Sequence, residues 1–148
     1  MLELYNYGYL GLFFASFLAA TILPFSSEAL LSYMVYVDYN PLYCIIIATV
    51  GNSLGSFFNY FLGSLGRWDL IEKYLRIKQK KIENFKLHVK KYFVLAAFFT
   101  WTPVVGDIFS VALGVLKADI KKTFFFIALG KLLRYIVWYY ITVGFIGY

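Results

Sequence analysis

The chain has 148 residues, of which 61% are hydrophobic and 22% aromatic, and only 15% are charged, with a formal net charge of +6. Soluble domains are about 45–50% apolar and about 25% charged. The composition therefore excludes a soluble catalytic domain and indicates a single membrane domain over residues 1–148.

Four apolar stretches, each long enough to cross a membrane, follow one another along the chain. They cover residues 8–37, 41–65, 92–116 and 123–147. About 20 helical residues cross the hydrocarbon core of a bilayer. We therefore predict an all-α integral membrane protein, with a first half at 8–66 and a second half at 92–147.

The first stretch is interrupted by "LPFSSE" at residues 23–28. Pro24 breaks a helix, and the carboxylate of Glu28 follows one turn later. Broken helices are tolerated at membrane depth where protein or a watery cavity covers the freed backbone. We predict a re-entrant helix–break–helix loop with Pro24, Ser26 and Ser27 at its tip.

A basic segment at residues 67–91 separates the two halves. It holds nine Lys and Arg against three acids, and its apolar residues recur at roughly helical spacing. This pattern predicts one or two amphipathic helices at a membrane surface. The excess of basic residues places the segment in the cytoplasm, bound to anionic lipid head groups. Nucleic-acid binding has little support, because no base-reading residues interleave with the aromatic ones.

The third stretch contains "TWTPVVGD" and is followed by a second basic cluster at residues 117–122. If the stretch crossed the membrane once, this cluster would lie outside, against the charge rule. If the stretch dips in and returns, both basic segments are cytoplasmic. We therefore predict a second re-entrant loop, with Pro103 and Gly106 at its tip and Asp107 beside them. The rival arrangement is a plain four-helix bundle with proline kinks.

The two halves carry the same functional residue types at a constant offset of 79 residues. This offset aligns Pro24 with Pro103 and Glu28 with Asp107. Because the charge argument makes the halves enter from opposite sides, we interpret the pattern as an inverted repeat. Such repeats are typical of secondary transporters, whose sites lie between broken helices near the midplane.

The predicted site consists of ionisable and polar residues inside the apolar stretches: Glu28, Asp107, Lys131, Arg134 and Asn52. A charge at a helix centre costs about 2.5–3.5 kcal/mol, so such residues usually line a site or pair with each other. The cations have the chemistry to hold a phosphate, with Arg134 offering a bidentate fork. One alternative is that the ion pairs only hold the fold. Another is that these loop residues only cap their half-helices, through Ser26 and Ser27 in the first loop or Asp107 in the second.

Four motifs occur in order along the chain: "FASFLAATILPFSSEALL", "ATVGNSLGSFFNYFLG", "TPVVGD" and "LGKLLRY". Together they resemble the small YqaA-type bacterial inner-membrane proteins of the DedA superfamily, which carry the SNARE-associated or VTT domain. The resemblance implies two opposed re-entrant loops, with Glu28 as the first-loop carboxylate and Pro103 as the second-loop proline. Larger relatives carry arginines around that proline, where this chain has Thr100 and Gly106.

The resemblance also implies a function, because larger relatives are implicated in moving polyprenyl-phosphate carriers and phospholipids. We expect a lipid transporter, flippase or scramblase, with proton coupling as one hypothesis. The alternatives are a small-ion or small-solute transporter and a non-transport protein of membrane homeostasis. We expect no enzyme activity, no cofactor and no metal. A homodimer is one way for so small a chain to enclose a site.

Overall fold

The computed structural model of the chain describes residues 2–21, 26–93, 95 and 105–147. Within these ranges, side-chain positions are described for all residues except 2, 26, 85–89, 105 and 107. Pro24 and Pro103 fall outside the described residues, as does the side chain of Asp107.

The described residues form helices and connecting turns, without a strand. The helices are α1 (Leu2–Thr21), α2 (Ser26–Tyr36), α3 (Pro41–Ser64), α4 (Trp68–Leu70), which continues as a π-helical turn (Ile71–Leu75), α5 (Gln79–Lys91), α6 (Val105–Val115) and α7 (Ile120–Ile146). By length and composition, α3 and α7 are candidate membrane spans. The prediction of an all-α fold is therefore confirmed for this part of the chain.

Two helices begin earlier than the apolar stretches predicted. The first apolar stretch predicts a start at residue 8, but α1 begins at Leu2, and Glu3 lies in its first turn. A carboxylate there interacts favourably with the partial positive charge of the helix N-terminus. The fourth stretch was bounded at residue 123, but α7 begins at Ile120 because Asp119 caps it and accepts from the Lys122 N–H at 2.9 Å.

The long helix α3 has a well-defined start at the turn that follows α2. The Asn40 side chain accepts from the backbone N–H groups of Leu42 and Tyr43, at 3.0 and 3.3 Å. Pro41 occupies the first helical position, where its missing N–H has no intrahelical partner to lose. This cap fixes the end of the bundle from which α3 starts.

Helices α1 and α3 pack side by side and run in the same direction. A Cβ atom added at Gly51 would meet the Phe13 carbonyl, and one added at Gly55 would meet the Phe17 carbonyl. Moving four residues forward along α3 moves the contact four residues forward along α1, so the two helices are parallel. Small residues allow such close approach of helix backbones, and Gly51 and Gly55 provide it here.

Helix α7 runs antiparallel to α3. The Phe57 and Phe124 rings are 5.2 Å apart near the end of α3 and the start of α7. Toward the other end, Cys44 and Ala48 share a buried cluster with Tyr135. Both basic segments, residues 67–91 and 117–122, therefore lie at one end of the bundle, which we name the basic end.

The other end of the bundle holds the start of α1, the turn after α2 and the end of α7. The Asn40 N–H donates to the Tyr9 hydroxyl at 3.3 Å, and the Tyr9 and Tyr39 rings meet edge to face. Helix α2 therefore returns to the end where α1 began. This end carries Glu3 and Asp38 and, among its described residues, no Lys or Arg. We name it the acidic end.

The basic segment folds against the bundle. Ile71, Ile77 and Ile82 are buried together with the apolar face of α6, while the charged residues between them are exposed. The predicted amphipathic character is thus confirmed. The turn between the two helices is made by Arg76, whose φ of 56° is left-handed.

Helix α6 joins the basic end of the bundle through an interlocked pair of glycines. Added Cβ atoms would meet the Val111 carbonyl at Gly63 and the Tyr60 carbonyl at Gly114. The Tyr60 hydroxyl also donates to the Ala118 carbonyl, just beyond α6. These contacts fix the end of α6 beside the end of α3.

Candidate functional site

An ion pair between Glu28 and Arg134 lies in the interior of the bundle. The Glu28 carboxylate contacts the Arg134 guanidinium, and their side chains are only 9% and 10% exposed. Glu28 lies in the first turn of α2, where a negative charge is favourable. Arg134 lies midway along α7. The pair therefore joins the two halves of the chain.

Two hydroxyl groups extend this ion pair into a buried hydrogen-bonded chain. The Ser27 hydroxyl donates to the second carboxylate oxygen of Glu28 at 3.0 Å. The Tyr135 hydroxyl donates to the Ser27 hydroxyl oxygen at 2.9 Å. Ser27 and Tyr135 are fully buried. Helix α7 thus contacts the Glu28 carboxylate directly through Arg134 and is linked to it indirectly through Tyr135 and Ser27.

Lys131 places a second cation close to this pair. It lies three residues before Arg134, on the same part of the α7 surface, and is only 2% exposed. The antiparallel register of α7 and α3 sets it level with Asn52. Two basic side chains thus lie within one turn of α7, in the middle of the bundle.

Asn52 is held between α1 and α3. Its side-chain N–H donates to the Ser16 carbonyl at 2.9 Å, so it serves helix packing. It also belongs to a buried polar row with Thr49, Ser53 and Ser56, whose spacing places all four on one face of α3. Within the described part of the chain, Asn52 Oδ1 and the other three hydroxyls have no hydrogen-bond partner.

The structure therefore brings together three of the predicted site residues and sets a fourth nearby. Glu28 pairs with Arg134, Lys131 lies within a turn of it, and Asn52 lies at about the same level of the bundle. The side chain of Asp107 lies outside the described set, so its predicted role stays a prediction.

The predicted loop-tip residues lie as follows in the described part of the chain. Ser26 and Ser27 lie in the first turn of α2, and Gly106 lies in the first turn of α6, where its carbonyl accepts from Ser110. The Ser27 hydroxyl donates to the Glu28 carboxylate rather than serving only as a backbone cap. Ser27 thus belongs to the ion-pair site.

Sequence reasoning missed Tyr135. The available signal was its position directly after Arg134, deep in an apolar helix, because a buried tyrosine hydroxyl usually needs a hydrogen-bond partner. Nothing in the sequence alone indicated that Ser27 is that partner. Among the described residues, no group of three His, Cys, Asp or Glu side chains is arranged to hold a metal ion.

These observations define a helical integral membrane protein with a buried ion pair between its two halves. The chain belongs to the VTT-domain family, the DedA superfamily, whose family model matches residues 23–144. The apolar helices and the inner-membrane relatives identify it as an integral protein of the bacterial inner membrane.

Three relatives illustrate this membership. The chain is 35% identical to inner membrane protein YqaA of Escherichia coli over 127 residues, covering 85% of this chain and 84% of the relative. It is 32% identical to an uncharacterized protein of Haemophilus influenzae, covering 91% and 87%. It is 27% identical to an alkaline phosphatase-like protein of Lactococcus lactis subsp. cremoris, covering 89% and 68%. No solved structure matches the chain.

Proposed function

We propose that this protein is a membrane transporter that moves a lipid or lipid-linked phosphate, such as a phospholipid or polyprenyl phosphate, between leaflets. The observation that carries the proposal is the Glu28–Arg134 pair, buried in the middle of the bundle. Buried charges are expensive in a membrane and usually mark a transport path or a proton relay. The neighbouring ammonium group of Lys131 adds a second cation for a phosphate.

The proposed step is an exchange of partners at Arg134. Protonation of Glu28 neutralises its carboxylate and weakens the pair. A buried guanidinium then needs another anion, because an unpaired charge is costly in a low-dielectric interior. A phosphate head group supplies that anion and binds the planar fork in a bidentate way. Loss of the proton restores the pair and releases the phosphate.

The proposed architecture is a pair of opposed re-entrant loops related as an inverted repeat, with Pro24 and Pro103 at the tips. Two observations support it. Helix α2 returns to the acidic end where α1 begins, and α6 ends beside the end of α3 at the basic end. In this arrangement Asp107 is the counterpart of Glu28. Because basic loops stay inside, the basic end faces the cytoplasm.

Two partners accompany this proposal. Anionic lipid head groups fit the basic segment 67–91, whose isoleucines are buried against the bundle while its charges are exposed. A second copy of the chain would help to enclose a site in so small a bundle. Cross-linking in membranes tests this second partner directly.

A non-transport role is the second candidate, and one observation favours it. Glu28 already has two partners, Arg134 and Ser27, as expected of an ion pair that only holds helices together. This role predicts that Arg134→Ala lowers the amount of folded protein without lowering the lipid flux per folded molecule. A small-solute transporter predicts solute flux without lipid movement. The name of the Lactococcus relative adds phosphate-ester cleavage as a third outcome, which product analysis would reveal.

The test is movement of a labelled phospholipid and a labelled polyprenyl phosphate across liposomes that contain the purified protein. We expect the wild type to move at least one of them, and Glu28→Gln and Arg134→Gln to reduce the flux by about 10-fold or more. Asp69→Asn is the matched control, because Asp69 also pairs with an arginine but is exposed. No movement of either lipid, or equal lipid flux in all variants, would refute the proposal.

A further inference from the structure

A second polar cluster lies between α2 and α7, one turn from the ion pair and closer to the acidic end. The Ser32 and Thr142 hydroxyl oxygens are 2.9 Å apart, and either group can be the donor. The indole N–H of Trp138 donates to Ser32 at 2.9 Å. The Thr142 hydroxyl also donates to the Trp138 carbonyl at 2.9 Å. Neither hydroxyl is needed to satisfy the Glu28–Arg134 site.

These residues lie in one line with the site along both helices. Ser32 is four residues after Glu28 on α2, and Trp138 and Thr142 are three and seven residues after Tyr135 on α7. Residues three, four or seven apart share a helix face. The facing surfaces of α2 and α7 therefore form a polar seam in an otherwise apolar bundle. We define the seam as Ser32, Tyr135, Trp138 and Thr142, together with Ser27, which joins it through the hydrogen bond from Tyr135.

A pocket lies beyond the seam at the acidic end. The pocket has a volume of about 370 Å³, and its lining includes Val35, Asp38, Tyr139 and Val143. Val35 is three residues after Ser32, and Val143 directly follows Thr142. The pocket therefore lies within about one helical turn of the hydrogen-bonded part of the seam. Asp38 is exposed at its mouth and gives that mouth a negative charge.

We propose that this seam is the route by which a proton from the acidic end reaches Glu28. The inference rests on the proton role that the proposed function gives to Glu28, and it adds the direction of access and the residues that provide it. The Tyr135 and Ser27 hydroxyls already point their protons toward the Glu28 carboxylate. This inner part of the seam is thus oriented for delivery, whereas the Ser32 and Thr142 hydroxyls must rotate from their present hydrogen bonds to pass a proton inward.

The proposed route includes one water molecule. Ser32 lies one turn beyond Glu28 on α2, a rise of about 6 Å, so we place a bridging water between the Ser32 hydroxyl and the Tyr135 hydroxyl. A hydronium ion in the pocket gives a proton to the Thr142–Ser32 pair and becomes water, and the pair passes a proton through the bridging water to Tyr135. Tyr135 passes its own proton to Ser27, and Ser27 passes its own to Glu28. One proton enters, Glu28 gains one, and each hydroxyl keeps its original number.

The groups that set the charge of Glu28 come from several helices. The Arg134 guanidinium contacts the carboxylate, Lys131 lies one turn before Arg134 on α7, and Tyr135 faces the carboxylate through Ser27. Asp107 of α6 is the acid that the repeat pairs with Glu28, and its side chain is outside the described set. Among the described residues of α1 and α3, Ser16 and Asn52 face this region and neither titrates. The proton that arrives must therefore compete with Arg134 for Glu28.

The test measures protonation of Glu28 directly, without lipid transport. The protein is inserted into vesicles in one orientation, and one side of the membrane is acidified. The infrared band of the protonated Glu28 carboxyl group, assigned by its absence in Glu28→Gln, is then followed in time. We expect the band to appear when the acidic end is acidified. Thr142→Val and Ser32→Ala should each slow it by about 10-fold or more, while Thr142→Ser keeps the wild-type rate.

The chain provides matched controls for both substitutions. Thr123→Val changes a buried threonine at the basic end of α7, and Ser53→Ala changes a buried serine of α3 outside the seam. Both should leave the rate unchanged. The proposal is overturned if Glu28 is protonated only from the basic end, or if the double variant Ser32→Ala/Thr142→Val responds as fast as wild type. Those results would assign the seam to helix packing alone.

The two proposals fail separately. Rapid protonation through the seam without movement of either lipid would defeat the transport proposal and leave the proton route standing. Lipid movement that depends on Glu28, combined with unchanged protonation in the double variant, would defeat the route and leave the transport proposal standing.

Discussion

Arg134 of α7 reaches Glu28 of α2 across the interior of the bundle, and the two side chains are about equally buried. The same two helices are joined again by the hydrogen bond from Tyr135 to Ser27. The carboxylate is therefore stabilised by groups from the far half of the chain. This relationship makes the pair a structural tie as well as the centre of the proposed site.

Removing the cation should destabilise the fold strongly. Arg134→Ala leaves the Glu28 carboxylate buried without its main partner, and loss of one member of a buried pair costs about 3–5 kcal/mol. Thermal unfolding of the purified protein in detergent measures this. The control is Arg67→Ala, which breaks the exposed pair with Asp69 and should hardly change the midpoint. Similar midpoints for both variants would contradict the prediction.

The double variant Glu28→Leu/Arg134→Leu tests whether the pair is kept for function. Replacing both charges of a buried pair by apolar residues is often neutral or stabilising. We therefore expect the double variant to unfold at a higher temperature than Arg134→Ala, while lipid flux stays lost. If the double variant moved lipid at the wild-type rate, the site would not use these charges.

The contact between α3 and α6 should tolerate no side chain at its two glycines. Gly114→Ala places a methyl group against the Tyr60 carbonyl, and Gly63→Ala places one against the Val111 carbonyl. Overpacking of this kind costs about 1–3 kcal/mol. Gly144→Ala in α7 is the matched control, because nothing lies within 4 Å of its added Cβ. It should be neutral or slightly stabilising, since alanine favours a helix over glycine.

The hydroxyl of Tyr135 should contribute less to the stability of the fold than the Arg134 guanidinium does. Tyr135→Phe keeps the ring but removes the hydrogen bond to Ser27, which is worth about 1 kcal/mol. A decrease in the unfolding free energy of that size, measured by denaturant titration, is the expected outcome. Tyr140→Phe serves as the control, because Tyr140 is largely exposed. A loss of unfolding free energy as large as that of Arg134→Ala would show that the Tyr135 hydroxyl makes stabilising contacts beyond its hydrogen bond to Ser27.

Thiol labelling in intact cells tests the sidedness of the two ends. In a Cys44→Ser background, a membrane-impermeant reagent added outside should label Tyr36→Cys near the acidic end. It should label Lys80→Cys and Lys121→Cys at the basic end only after the membrane is permeabilised. All three positions are exposed. Labelling of Lys121→Cys from outside would contradict the two-loop topology.

Much of the fold was predictable because it follows from local properties of the chain. The apolar stretches predicted α3 and α7 to within a few residues. The segment 67–91 was correctly predicted as amphipathic from the spacing of Ile71 and Ile82. Helix starts were less predictable, because caps such as Asp119 extend a helix beyond its apolar residues.

The pairing within the site was only partly predictable. The sequence identified Glu28, Lys131 and Arg134 as buried charges, but it left open which acid meets which cation. It placed Ser27 at a loop tip, with capping as the alternative, and it gave no role to Tyr135 or to the seam through Ser32 and Thr142. These contacts join residues from opposite halves of the chain.

The sequence by itself determined that this is a helical membrane protein with ionisable residues inside its apolar stretches, because hydropathy and charge belong to each residue wherever it lies. Only the tertiary structure decided that Glu28 pairs with Arg134 and that Ser27 links the pair to Tyr135. Such pairing depends on the rotation and register of each helix. Those are fixed by the packing of α1, α2 and α7 around α3, which is a property of the whole bundle.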